Sequence, residues 1–113
     1  MIDWSRVNEL KGEIGEDGFA EVVELFLDEV ETAIARLSPD SPARKLETDM
    51  HFLKGSAWNL GFVEFGAVCH DVGRRAAEGA FQAGDLERLK DCYGESKAVF
   101  LGGIGGKGKT SAA

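Results

Sequence analysis

Proline is nearly absent from this 113-residue chain. Both prolines fall in Ser38-Pro39-Asp40-Ser41-Pro42, a segment that breaks the chain, and Pro42 suits the first turn of a following helix. Cysteine is equally scarce. Cys69 and Cys92 lack metal-ligand spacing, and a disulfide framework needs more thiols, so Cys69 reads as a small core residue. Positive charge is in deficit, with 13 Lys and Arg against 20 Asp and Glu and a net charge of −7. That balance argues against nucleic acid, whose binding needs clustered basic charge. No run of about 18 apolar residues is available to cross a membrane. Met1-Ile2-Asp3-Trp4 is neither basic nor followed by a signal-like apolar stretch, so a cytoplasmic location with no membrane partner is expected. No useful length alternates with period two, which leaves little room for β-strands.

What remains is helical throughout, in a length that buries one core but hardly two. Residues 3–14 suit a short amphipathic helix with Trp4, Val7 and Ile14 as packing anchors, interrupted by Gly15. From Asp17 to Leu37, Phe19, Val22, Val23, Phe26, Val30, Ala33, Ile34 and Leu37 keep helical spacing. The acidic side chains of this early part read as a solvated face. A third helix is expected over about residues 42–60, a fourth from Phe62 to about Ala83 before Gly84, and a last one carrying Leu86, Leu89, Tyr93, Ser96 and Phe100. Helices joined by short loops imply an all-α, antiparallel up-down four-helix bundle with a short additional N-terminal helix.

The chemistry concentrates in the third helix. Leu46, Met50, Leu53, Ala57 and Leu60 recur at 4-3-4-3 spacing and predict its buried stripe. His51 falls off that stripe, with Lys54 and Gly55 one turn further along the same face. The imidazole is therefore expected in solvent, with a cation near it and no side chain at the next position. An unperturbed imidazole titrates near pH ~6.5, so at neutral pH most of it is an uncharged nucleophile. An adjacent ammonium disfavours a second positive charge and stabilises phosphoryl oxygens. A mid-helix glycine costs about 1 kcal/mol against alanine, which points to a need for open space. Ser56 projects away from His51 and suits packing or a backbone hydrogen bond. Gly61 suits the C-cap.

Residues 51–62, His-Phe-Leu-Lys-Gly-Ser-Ala-Trp-Asn-Leu-Gly-Phe, resemble the signature of histidine-containing phosphotransfer (HPt) domains of bacterial multistep phosphorelays. That pattern, roughly His-x-Leu-Lys-Gly-Ser-Ala-x-x-Leu-Gly, is matched at every fixed position, and Phe52 and Trp58 fill variable ones with unusual bulk. The resemblance implies an HPt bundle over residues 1–101 and leaves residues 102–113 as a flexible Gly-rich tail. It implies that His51 accepts a phosphoryl group from a receiver-domain aspartate and relays it to another response regulator. Lys54 would steady the phosphoryl group and Gly55 would give the receiver access. The expected partners are receiver domains and a hybrid sensor histidine kinase, and the expected state is a monomer. No cofactor of its own is implied, because Mg²⁺ would come with the receiver. Such a protein is a phosphocarrier rather than an enzyme. The alternative is a helical adaptor that binds receiver or kinase domains without carrying phosphate.

If the helices either side of Gly61 form an antiparallel hairpin, His51 lies level with about position 71. Arg74 and Arg75 then become candidates for a phosphoryl group or an acidic receiver loop, with Trp58, Glu47 and Thr48 as further partner-facing residues. His70 lacks the one-turn lysine and glycine that accompany His51. A metal site from His51, His70 and Asp71 lacks supporting spacing. Gly103-Ile104-Gly105-Gly106-Lys107-Gly108-Lys109-Thr110 formally fits Gly-x4-Gly-Lys-Thr. A working P-loop opens a helix, whereas only Ser111-Ala112-Ala113 follows here, so nucleotide binding is not expected.

Overall fold

The computed structural model describes the backbone of residues 1–112 and the side chains of residues 1–104. The glycine-rich tail expected over 102–113, and the P-loop-like run within it, fall on a backbone that is helical to Ala112, and the side chains of that run from residue 105 on lie outside the described residues. Four α-helices account for the chain: α1 (Trp4–Arg36), α2 (Ala43–Asn59), α3 (Val63–Ala77) and α4 (Ala83–Ala112), with no strand among the described residues.

Helix α1 starts where Asp3 accepts hydrogen bonds from the Ser5 and Arg6 amides. The N-terminal helical segment is set off, as the sequence suggests, at Gly15, whose φ of 78° favours glycine and leaves helical geometry; a kink with no intervening loop joins it to the segment that runs on to Arg36. The hydrophobic pattern explains the kink. Continuing the Val7–Leu10 stripe unbroken would turn Asp17 and Glu21 inward, whereas the kink re-phases α1 so that Phe19, Val23, Phe26, Val30 and Ile34 are buried. Ile14, read as an anchor, remains exposed at the bend.

The α2–α3 hairpin positions His51. Gly61, at φ +87°, closes α2 in a Schellman turn: the Phe62 amide reaches the Ala57 carbonyl (2.7 Å) and the Gly61 amide reaches that of Trp58 (3.1 Å). The two helices then run antiparallel, with the Trp58 indole against Gly66 and Met50 against Gly73. A Cβ placed at Gly73 would stand 3.0 Å from the Met50 Cβ, so the two backbones approach closely there. The chain's N-terminus is fastened to the same turn. The Asp3 amide donates to the Gly61 carbonyl at 2.8 Å, and Arg6 donates to the Asn59 carbonyl and side-chain oxygens at 2.9 and 2.8 Å.

Helix α3 ends earlier than the sequence spacing predicts. It stops at Ala77, and Gly79 (φ 72°), not Gly84, supplies the left-handed residue of a second Schellman turn. Gly84 falls instead in the first turn of α4. Asp85, three residues into that helix, accepts the Gln82 amide at 2.9 Å, as an acidic residue at this position does in a capping box. The core between the helices is aromatic. Phe62 packs on Phe26 and Phe100 at centroid distances of 5.0 and 5.1 Å, and Trp4 stacks on Phe100 at 6.0 Å. Each fully buried ring contributes about 1.5–3 kcal/mol of hydrophobic stabilisation.

Candidate functional site

Helix α2 buries Leu46, Met50, Leu53 and Ala57, and so turns His51 outward into solvent. The imidazole stands at an open cleft of about 510 Å³ between α2 and α3. Glu47, Thr48, Met50 and Lys54 line it from α2, and Cys69, His70, Gly73, Arg74 and Ala77 line it from α3. The bare Gly73 beside Met50 brings the helices together without filling the space above. His51 thus lies level with residues 72–73 of α3, slightly beyond the position that simple hairpin counting gives.

The predicted residues divide between this cleft and its surroundings. Glu47, Thr48, His51, Lys54 and Arg74 share the cleft lining. Thr48 donates its hydroxyl to the Arg44 carbonyl one turn back. Gly55 faces solvent beside the cleft, and a Cβ added there would meet no atom within 4 Å. Nothing among the described residues therefore requires this glycine. Trp58 lies further along α2, 46% exposed, with its indole folded onto Gly66 and its ring under Lys54 Nζ.

The consecutive arginines go separate ways. Arg75 lies outside the cleft lining. Its guanidinium reaches buried Asp85 at 2.9 Å and the Ala80 carbonyl at 3.1 Å, bracing the turn between α3 and α4. Arg74 lies in the cleft with its side chain 57% exposed and pairs with Asp71 at 2.7 Å. Asp71 in turn takes Arg88 of α4, also at 2.7 Å. These two guanidiniums, Arg88 first, hold the Asp71 carboxyl below the usual carboxylate range.

Sequence spacing does not reveal Asp71–Arg88 and gives His70 no accompanying lysine or glycine. The Asp71–Arg88 contact joins different helices and has no local spacing to betray it. His70 shares the cleft because it lies one turn from Arg74 on α3, a signal present in the helical register. Cys69 is a core residue whose thiol burial pushes up to about 12, so it is no nucleophile at neutral pH. No cluster of three or more His, Cys, Asp or Glu able to hold a metal occurs among the described residues.

An exposed imidazole beside an ammonium and a guanidinium, on a rigid helix pair, is suited to holding an anionic group where another protein can reach it. The fold and the cleft thus define an all-helical module with an exposed histidine at an open cleft. The model of the Hpt domain family matches residues 21–99, and the chain belongs to that family. Comparison with curated proteins and with solved structures gives no match. Hpt domains are phosphocarriers that exchange phosphoryl groups through a histidine with the receivers and kinases of phosphorelays.

Proposed function

We propose that this protein carries a phosphoryl group on His51 between receiver domains of a two-component phosphorelay. The observation that carries the reading is the pairing of an exposed His51 with Gly55, where the surface is open to an incoming protein. In the forward step an unprotonated ring nitrogen of His51 forms a bond to phosphorus. The bond from phosphorus to the receiver's aspartyl oxygen breaks, and the electron pair returns to that carboxylate. Transfer to the next receiver reverses these roles. Charge neutralisation and alignment carry most of such a transfer. Lys54 and Arg74 supply positive charge on the two sides of the cleft, and the receiver brings the Mg²⁺.

Glu47, Thr48 and Trp58 form the rim that meets the receiver, while Arg75 keeps its structural pairing with Asp85. The up-down arrangement of the four helices serves as the rigid support, and the protein acts as a cytoplasmic monomer with no nucleotide or metal site of its own. Incubation with a phosphorylated receiver tests this. His51 is expected to gain acid-labile, base-stable phosphate, and His51→Gln is expected to gain none. Binding of the receiver without any transfer would make the protein an adaptor instead.

A further inference from the structure

We propose that Asp71 holds Arg74 in reserve for a phosphoryl group on His51, and that Arg88 keeps this hold weak enough to exchange. The inference rests on His51 as phosphoacceptor and assigns positioning roles to two residues outside the cleft lining.

The two oxygens of Asp71 are divided between two cations. Oδ1 accepts from Arg74 Nη2 and Oδ2 from Arg88 Nη2, each at 2.7 Å. Arg74 also approaches Glu78 Oε1 at 3.6 Å, so its acidic neighbours are Asp71, one turn back on α3, and Glu78, the residue that caps the helix. Arg74 nevertheless lines the cleft that holds His51.

A single ion pair would bind Arg74 at the expense of leaving Asp71 unpaired on departure. Here Arg88, anchored on α4, stays with Asp71 when Arg74 leaves. The neighbouring Arg75 shows the opposite design. Its acidic partner Asp85 is buried and has no second arginine, so release would strand a carboxylate away from water. A phosphoryl dianion offers three oxygens to a planar guanidinium and outcompetes a singly charged, half-exposed carboxylate. Arg74 then turns from Asp71 to the phosphoryl oxygens and Asp71 keeps Arg88.

Phosphoramidate tests this on the full chain without any receiver. A ring nitrogen of His51 forms the N–P bond as the P–N bond of zwitterionic phosphoramidate breaks, and ammonia leaves with the bonding pair. The rate of phosphohistidine formation is followed by ³¹P NMR. Asp71→Asn removes the nearer of the two carboxylates that compete for Arg74 and is expected to speed labelling about threefold, within the range of exposed ion pairs. Arg88→Gln leaves Asp71 with Arg74 alone and is expected to slow labelling by about the same factor. Both effects are expected to vanish in an Arg74→Gln background. A merely structural role would move both variants the same way and would persist without Arg74. Labelling of His51 at equal rates in all variants, or shifts in one common direction, overturns this inference alone. A wild-type chain that takes no phosphate on His51 overturns the phosphocarrier reading with it.

Discussion

Lys54 Nζ stands 5.5 Å from the centre of the Trp58 ring, the same indole that lies across Gly66 of α3. One turn of helix therefore ties the cation beside His51 to an aromatic reporter. A cation–π contact at such an exposed site is worth about 0.5–1 kcal/mol, little enough for a phosphoryl group to displace. Phosphorylation of His51 is expected to draw Lys54 off the ring and change Trp58 fluorescence, read in a Trp4→Phe background. In Lys54→Met the change should disappear and transfer should slow by about tenfold, less than the roughly hundredfold or more for a donor in a water-excluded site because Lys54 is part-exposed. A fluorescence change that survives in Lys54→Met would break the link.

At Gly55 the demands of the helix can be separated from those of a docking protein. A methyl group there meets open space, and alanine favours a helix interior by about 1 kcal/mol over glycine. Gly55→Ala is therefore expected to raise the melting temperature by about 4 °C. Gly55→Trp should fold and still accept phosphate from phosphoramidate, yet fail to take it from a phosphorylated receiver. Equal loss with both donors would mean that the glycine serves the imidazole and not the docking of a protein.

How much of this was legible in the sequence depends on whether the controlling contact is local. The stripe Leu46, Met50, Leu53, Ala57 and Leu60 is wholly buried, as its spacing predicts, because helical period and burial are the same statement. The outward face of His51 follows from it. The end of α3 is not legible because two glycines, Gly79 and Gly84, compete as breakers, and only the turn hydrogen bonds distinguish them. Arg74 and Arg75 were indistinguishable as sequence. Their fates are decided by Asp71, one turn back, and by Asp85, across a turn whose position had been placed elsewhere. The close passage of Gly73 past Met50, which shapes the cleft floor, is a tertiary contact with no one-dimensional signature.

Gly61 fastens three pieces of chain at once. Its φ of +87° is costly for other residues, and a Cβ would fall 2.8 Å from the Asp3 carbonyl oxygen and 3.1 Å from a Val7 methyl. Backbone atoms cannot yield as a flexible side chain would. Gly61→Ala is expected to destabilise the fold by about 2 kcal/mol or more, combining left-handed strain with the clash. Urea denaturation measures this. Loss of the Trp4–Phe100 stacking should accompany it if the N-terminal turn of α1 is pushed away, since Asp3 and Trp4 are adjacent. An unchanged midpoint would show that the α2–α3 turn and the N-terminus are held independently.

Acid should loosen the contact between α1 and α4 before it disturbs the His51 cleft floor. Glu31 of α1 accepts from Lys97 at 2.6 Å and from the Tyr93 hydroxyl at 2.8 Å, both on α4. The lysine first and the tyrosine second hold its carboxyl below the ordinary value of 4.5. A carboxyl with a lower pKa in the folded than in the unfolded chain stabilises the fold above the unfolded value. That contribution is lost as pH falls through the folded value. Glu31 is half exposed, so the whole effect should not exceed about 1 kcal/mol. Glu31→Gln is therefore expected to melt a few degrees below wild type at neutral pH, on the usual scale for about 1 kcal/mol. The gap should close as the pH drops below the carboxylate range. The Tyr93 phenol works at the other end of the scale, its pKa raised first by burial and then by Glu31, so the fold favours the neutral hydroxyl and loses stability as alkali ionises it. A Glu31→Gln deficit that stays constant from neutral to acid pH would mean that the α1–α4 contact depends on shape rather than on charge.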